Sequence, residues 1–238
     1  MNDEIIKLIT GSSNKVSYSL PVEKEDKVCI IAPHPDDETL GCGGVIKKML
    51  NKGIQVELIL VTDGSSGGKA DNLADIRIGE FHQAKEILGI TKLYYLGYKD
   101  GQLDQYYLPL MKSLNEILGV MNPKVIFIPY IFDYSIDHLI TYKASIETLK
   151  SFTHIEAFMY EVWTPILNPD YFVDVHNEYE IKKTAMKCYK SQEKYFGIMD
   201  KTETLNRFRA CLSIIYKEGY VECFKKITKE YRDEYVGR

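Results

Sequence analysis

One histidine and three carboxylates lie within five consecutive positions of the segment HPDDE, which begins at His34. The apolar run KVCIIAP precedes it, so these charges follow directly on a segment typical of a buried strand. Carboxylates packed at the end of a core strand repel one another unless a cation or a set of hydrogen-bond donors compensates them. Imidazole nitrogen and carboxylate oxygen are both ligands for Zn²⁺. The segment therefore predicts a divalent metal site; the plainer alternative is an acidic cluster at a helix N-terminus.

A catalytic zinc site holds three protein ligands and a water molecule, so a further ligand is needed. His34 and Asp37 are three residues apart, and one turn of the chain can aim both at the same point. Among the five histidines, His138 is the best candidate because it follows the fourth predicted strand, at the same edge of the sheet. Asp36 is then free to face a metal-bound water. Taken alone, His138 would more often be a structural histidine.

Apolar runs and helical patterns alternate along most of the chain. Four runs predict strands at 27–33, 54–64, 92–101 and 123–130, and segments with apolar residues at helical spacing separate them. Two further strands are predicted in AFMYEVWTPI and YFVDV, followed by helices at 178–189 and 201–217 and by a charged amphipathic helix in the C-terminal FKKITKEYRDEYVGR. This order predicts an α/β fold in which helices cover both faces of a mostly parallel sheet. Because no repeat or linker interrupts it, we expect a single domain over residues 1–238.

Composition narrows the class of protein. The 238 residues are 45% hydrophobic and carry a formal net charge of −4, which gives no electrostatic basis for binding nucleic acid or an anionic membrane. The five cysteines show no C-x-x-C spacing, which suits a reducing compartment, and no apolar run approaches the length of a membrane span. The sequence therefore predicts a cytoplasmic protein with neither nucleic acid nor membrane as a partner.

Several motifs, spaced in order, resemble those of one enzyme family. APHPDDETLGCGG is similar to the signature of the LmbE/PIG-L family of zinc-dependent N-acetylglucosaminyl deacetylases. The likeness covers residues 27–195 and continues through LVTDG, RIGEFHQAKEILG, YLGYKDGQL, FDYSIDH and VDVHNEYEIKKTAMKCYKSQ. It implies a Rossmann-like three-layer sandwich. It also implies a hydrolase that removes the acetyl group from an amino-sugar-containing small molecule, with zinc as the cofactor.

The resemblance also implies roles for individual residues. Its zinc ligands match His34, Asp37 and His138, and its general base, which acts on the zinc-bound water, matches Asp36. If the metal neutralises Asp37, the neighbouring Asp36 stays usable as a base.

Three further positions match residues around the family's site. Arg77 and Asp100 match residues that line the sugar site, and Asp137 matches a carboxylate that lies behind the ligands and balances their charge. Arg77 and Asp100 each have a plainer alternative that the sequence leaves open. Arg77 can pair with Glu80, and Asp100 can form a turn with Gly101.

The chain departs from the family pattern at Ser135, where the last motif carries its first histidine. In the family that histidine helps to stabilise the oxyanion or to protonate the leaving amine, and a serine hydroxyl cannot act as an imidazolium acid. His176, which follows a predicted strand, is our first candidate to replace it, and a surface histidine is the alternative. Tyr134 is the second candidate, and its alternative role is packing.

Two rival functions remain at this stage. The serine substitution favours a metal- and sugar-binding family member with little or no catalysis. A Mg²⁺-dependent phosphohydrolase is the other rival, although two histidine ligands favour Zn²⁺ over Mg²⁺. The sequence does not identify the N-acetylated substrate, and it leaves self-association into a homo-oligomer open.

Overall fold

The strand and helix pattern folds into one seven-stranded sheet, as seen in a computed structural model that describes residues 16–213 and 215–228. The strands lie side by side in the order β3-β2-β1-β4-β5-β7-β6. The first five strands in this order run parallel to one another, and β7 runs antiparallel to both β5 and β6. The strands are β1 (Lys27–Ala32), β2 (Gln55–Thr62), β3 (Lys92–Tyr98), β4 (Val125–Pro129), β5 (Glu156–Tyr160), β6 (Tyr171–Asp174) and β7 (Val221–Ile227).

Helices cover both faces of this sheet, which gives the three layers expected for an α/β fold. Alternation along β1 shows why: Val28 and Ile30 pack into the core on one face, and Cys29 and Ile31 pack into the core on the other. The helices are α1 (Asp37–Asn51), α2 (Leu73–Leu88), α3 (Tyr107–Met121), α4 (Ile136–Leu149), α5 (Tyr179–Met186), α6 (Lys190–Phe196) and α7 (Ile198–Leu212). Helices α1, α2 and α5 lie on the first face, and α3 and α4 lie on the second.

Helix α1 sits unusually close to its neighbours because its first half is rich in glycine. A Cβ placed on Gly44 would lie 2.6 Å from the side chain of Val175, which is shorter than any ordinary contact. Glycine therefore lets α1 approach the segment after β6, and this approach fixes where the start of the helix lies.

The order of the strands places β1 and β4 next to each other at the point where the topology reverses. From β1 the chain proceeds outward through β2 to β3, and then returns to add β4 on the other side of β1. Ligand sites of open α/β sheets lie at such a switch point, beyond the carboxyl ends of the strands. The segments that follow β1 and β4 carry the predicted metal ligands.

One predicted element is wrong. Residues Val221–Ile227 form β7, where the sequence pattern predicted the start of a C-terminal amphipathic helix. The strand fills the space between β5 and β6, and its two lysines pair with carboxylates. The buried Lys225 has its Nζ 3.1 Å from Asp170 Oδ1, and Lys226 pairs with Glu156. The rest of that predicted helix, 229–238, lies outside the described residues.

Two negative findings apply to the described part of the chain. None of its helices is long and apolar enough to cross a membrane. The five cysteines are all free thiols.

Candidate active site

Two imidazoles and one carboxylate converge where β1 and β4 end. His34 Nδ1 lies 3.2 Å from Asp37 Oδ2, and His138 Nε2 lies 3.0 Å from the same oxygen. The two ring nitrogens are 3.2 Å apart. Oδ1 of Asp37 is buried and accepts no hydrogen bond from any described residue. Three candidate ligand atoms therefore surround one point, with an unsatisfied carboxylate oxygen beside it.

Carboxylates behind the two imidazoles define which ring nitrogens face that point. His34 Nε2 lies 3.2 Å from Asp137 Oδ2 and 3.3 Å from Asp100 Oδ1, and His138 Nδ1 lies 3.0 Å from Asp133 Oδ2. His34 Nε2 is placed to donate its N–H to Asp137, whereas His138 Nδ1 lies close to Asp133 without a hydrogen bond among the described residues. When both outer nitrogens carry the proton, the inner nitrogens have lone pairs. Two lone pairs and a carboxylate that face one another repel unless a cation lies between them. The arrangement fits a divalent metal ion.

The charges of the cluster are strongly coupled. Burial opposes ionisation of Asp37, but His138 and His34 hold the pKa of its carboxyl well below the usual range. Burial also opposes protonation of His138, yet Asp37 and Asp133 raise its pKa to about 9. The site therefore concentrates negative charge that only a proton or a cation can compensate. A metal ion bound here would take the place of the imidazolium protons.

Asp36 lies beside the cluster, and its backbone conformation is unfavourable for a residue with a side chain. It has φ 149° and ψ −29°, a region rarely occupied by residues other than glycine. Arg77 secures this geometry because Nη2 donates to both Pro35 O and Asp36 Oδ2, each at 3.1 Å. Burial raises the pKa of Asp36 to about 7, although the Arg77 guanidinium opposes this shift. A carboxylate with a pKa near neutrality is suited to accept and return a proton.

Arg77 and Asp100, predicted to line a sugar site, are both buried and engaged with protein groups. Arg77 Nη1 donates to Gly64 O at 3.0 Å, in addition to its bonds at Asp36. Asp100 accepts the amide of Ser66 at 2.9 Å while its other oxygen faces His34. Arg77 therefore contacts the predicted base and Asp100 contacts a predicted ligand, and the contact of either residue with a sugar stays a prediction.

Asp137, predicted to lie behind the ligands, is placed beside the outer nitrogen of His34. Besides facing His34, its carboxylate accepts the amides of Gly101 at 2.6 Å and Leu103 at 3.2 Å. The loop after β3 is thereby tied to the start of α4.

Sequence reasoning assigned no role to two buried carboxylates, Asp133 and Glu38. Asp133 stands first in the FDYSIDH motif, and its position beside a histidine ligand was the available signal. Glu38 accepts hydrogen bonds from Thr39 Oγ1 and Tyr189 Oη, each at 2.5 Å. No local signal in the sequence connects Glu38 to Tyr189, because 151 positions separate them.

His176 is not brought to the cluster. It follows β6, four strand positions from β1, and at ~4.8 Å per position this spacing amounts to roughly 19 Å. Its exposed imidazole stacks on Tyr220, with ring centroids 6.1 Å apart. Ser135 stands immediately before α4 and is half-buried. Tyr134, the other side chain predicted to replace the family histidine, lies on the loop that leads from β4 into α4, the helix that carries His138.

Comparison with known proteins gives a consistent result. The PIG-L family profile, described as GlcNAc-PI de-N-acetylase, matches residues 29–149. The diacetylchitobiose deacetylase of Thermococcus kodakarensis is 30% identical over 194 residues, which cover 72% of this chain and 72% of that protein. The uncharacterized deacetylase YaiS of Escherichia coli is 29% identical over 175 residues, which cover 71% of this chain and 92% of that protein.

A solved structure shows the same architecture. The N,N'-diacetylchitobiose deacetylase from Pyrococcus horikoshii, complexed with its inhibitor MPG, aligns with a TM-score of 0.72 at 27% identity. The alignment covers 94% of this chain and 91% of that one. The three-layer α/β fold predicted from the sequence is thereby confirmed.

Proposed function

This chain belongs to the PIG-L family of hydrolytic N-deacetylases, and we propose that it removes the acetyl group from the amino nitrogen of a small amino sugar. The family and the enzyme class are those predicted from the sequence, and both are confirmed. The observation that carries the proposal is the cluster itself. Two imidazole nitrogens and one carboxylate surround a single point, and a buried carboxylate with a pKa of about 7 lies next to it.

The ion that best suits these ligands is zinc. His34, Asp37 and His138 offer two nitrogen donors and one oxygen donor, a set that Zn²⁺ accepts and that Mg²⁺, which prefers oxygen ligands, does not favour. When bound, a zinc ion supplies polarisation of the acetyl carbonyl and lowers the pKa of water to about 7.

Side chains carry out the proton transfers of the reaction. Asp36 accepts a proton from the attacking water as the water oxygen bonds to the acetyl carbon. The carbon–nitrogen bond then breaks, and the protonated Asp36 returns that proton to the departing amine, which yields acetate and a free amino sugar. Arg77 keeps the carboxylate of Asp36 in position through its 3.1 Å contact.

Acetate release from a panel of N-acetylated amino sugars by zinc-loaded protein tests the proposal, with Asp36→Asn as the main variant. We expect the variant to keep one zinc per chain and to lose roughly 10²–10⁴-fold in rate, the usual contribution of a general base. The matched control is Asp75→Asn, which neutralises an exposed carboxylate in the first turn of α2. Equal rates for Asp36→Asn and the native protein would overturn the role of Asp36.

The replacement of a family histidine by Ser135 supports a second candidate, a metal- and sugar-binding protein with little or no catalysis. The same panel separates the two functions, because zinc binding without acetate from any substrate favours the binding protein. Ser135→His adds a further readout: a gain in rate is expected if the native chain is a slow deacetylase.

The proposed location is the cytoplasm. Its basis is the odd number of cysteines, all of them free in the structure.

A further inference from the structure

Glu38 is a buried carboxylate that holds the backbone of Asp36, the proposed general base. Its Oε2 accepts the amide of Asp36 at 3.3 Å, two residues back along the chain. The carbonyl of Asp36 in turn accepts the amides of Thr39 and Leu40 at 3.0 and 2.9 Å. The first turn of α1 therefore binds both the amide and the carbonyl of Asp36, much as a capping box does. These bonds hold the residue at its unfavourable φ of 149°.

Tyr189 fixes the other oxygen of Glu38. Its phenol is completely buried, and Oη donates to Glu38 Oε1 at 2.5 Å. The hydroxyl of Thr39 donates to the same oxygen at 2.5 Å. A buried carboxylate that loses a donor has to turn toward another one, because an unsatisfied buried oxygen is costly. The direction of the Glu38 carboxylate, and with it the bond to the Asp36 amide, therefore depends on Tyr189.

The residues that follow Tyr189 reach the opposite side of Asp36 through α2. Ser191 donates its amide and its hydroxyl to the two carboxylate oxygens of Glu80, at 2.9 and 2.6 Å. Glu80 lies on α2 one helical turn after Arg77, whose Nη2 donates to Asp36 Oδ2 at 3.1 Å. Ser191 therefore fixes the part of the helix from which the guanidinium reaches the base.

Gln192 secures the loop against which that guanidinium packs. Its Nε2 donates to Gly67 O at 3.3 Å. A Cβ placed on Gly67 would lie only 2.5 Å from Arg77 Nη1, so the loop lies directly on the guanidinium. The segment 189–192 thus supports Asp36 from two sides, its backbone through Glu38 and its carboxylate through Arg77.

We propose that Tyr189 and Glu38 are positioning residues for the general base, so that the segment 189–192 aims the carboxylate of Asp36. This inference rests on the proposed deacetylase function and deepens it. Tyr189 and Glu38 are completely buried, so neither contacts a substrate, and their effect on the rate passes through the groups that they hold. A displacement of a reacting group by about 1 Å costs on the order of 10²-fold in rate.

Tyr189→Phe is the first test, because it removes the hydroxyl and keeps the ring. We expect kcat for acetate release by zinc-loaded protein to fall by about 10–100-fold, with KM and the zinc content unchanged. Glu38→Gln should show the same separation of kcat from KM, because a side-chain amide nitrogen cannot accept the N–H of Asp36.

Tyr179→Phe is the matched control. Tyr179 lies on α5 and is as buried as Tyr189, but its hydroxyl has no hydrogen-bond partner among the described residues. This variant should keep the native kcat.

An Asp36→Asn background separates positioning from general damage to the fold. If Tyr189 acts through Asp36, adding Tyr189→Phe to Asp36→Asn should cause no further loss of rate, because the group that it positions is already gone. Losses that multiply in the double variant, or a native kcat in Tyr189→Phe, would overturn the inference.

Hydrogen exchange gives a readout that needs no turnover. The amide of Asp36 should exchange about 10-fold faster in Tyr189→Phe than in the native protein, and it should keep its native rate in Tyr179→Phe. Unaltered exchange in Tyr189→Phe would overturn the inference. Faster exchange in a chain that releases no acetate would support the role of Tyr189 and overturn the proposed catalysis. Acetate release with a native kcat in Tyr189→Phe would do the reverse.

Discussion

Replacing Lys182 with methionine removes a positive charge from a side chain that is completely buried beneath α1. Its ammonium donates to Leu40 O at 2.8 Å and to Glu222 Oε1 at 2.6 Å. The two oxygens of Glu222 in turn accept the amides of Gly44 and Val45 at 2.8 Å each. The variant leaves Glu222 as a buried charge without its cation, which typically costs about 3–5 kcal/mol of unfolding free energy. For a chain of this size the melting temperature should fall by roughly 6–20 °C.

Thermal and urea denaturation measure this loss, and Lys183→Met is the control. Lys183 is the next residue along α5, and it forms a surface ion pair with Glu203 at 3.0 Å. Loss of this partly exposed pair, which solvent screens, should lower the melting temperature far less than loss of the buried pair. Equal melting temperatures for Lys182→Met and Lys183→Met would mean that the buried pair of Lys182 and Glu222 contributes no more to the free energy of unfolding than the pair of Lys183 and Glu203.

A double variant refines the test. The double variant Lys182→Met/Glu222→Gln also removes the uncompensated charge of Glu222. Its loss of unfolding free energy should therefore be smaller than the sum of the losses in Lys182→Met and in Glu222→Gln. Coupling energies between contacting residues are of order 0.5–3 kcal/mol. Strict additivity would mean that the two side chains do not interact.

Three further outcomes follow from the structure. Removing the metal with a chelator should lower the melting temperature as well as abolish activity, because the clustered carboxylates lose their counterion; an unchanged melting temperature would contradict this reasoning. Asp133→Asn should weaken metal affinity by about 10–100-fold in a chelator competition, since it alters the partner of His138 Nδ1; unaltered affinity would remove Asp133 from the site. Gly44→Ala should destabilise the fold because the new methyl group meets Val175. Gly79→Ala in α2 has open space around it and should raise the free energy of unfolding by up to ~1 kcal/mol. Equal melting temperatures for the two variants would argue against close packing at Gly44.

The sheet and the cluster could be predicted because their signals are local. The apolar runs of β1 and β4 are continuous, which is typical of strands buried on both faces. The candidate ligands follow those runs directly. Because the carboxyl ends of parallel strands meet at one edge of the sheet, this position alone predicted that His138 lies close to His34. No knowledge of the intervening chain was needed for that step.

The errors arise where tertiary context decides. In β7 the adjacent residues Lys225 and Lys226 are typical of the polar face of a helix. In the strand between β5 and β6, however, Lys225 pairs with Asp170 and Lys226 pairs with Glu156. Context overrides propensity at such a position. Likewise, His176 does follow a strand, as predicted, but the position of β6 within the sheet cannot be read from its sequence.

Arg77 illustrates why a role is harder to predict than a location. Its position in the sequence left two roles open, a sugar contact and a pair with Glu80, because both need only a cation on that face of α2. In the structure the guanidinium binds both the backbone at Pro35 and the carboxylate of Asp36, a contact that the sequence did not indicate, and the contact with a sugar stays a prediction. Asp36 in turn occupies a backbone conformation that costs about 1–3 kcal/mol, and such a cost persists only where surrounding contacts impose it. The position of Asp36 is therefore a tertiary property, produced jointly by the turn after β1 and by Arg77, which lies 41 positions further along the chain on α2.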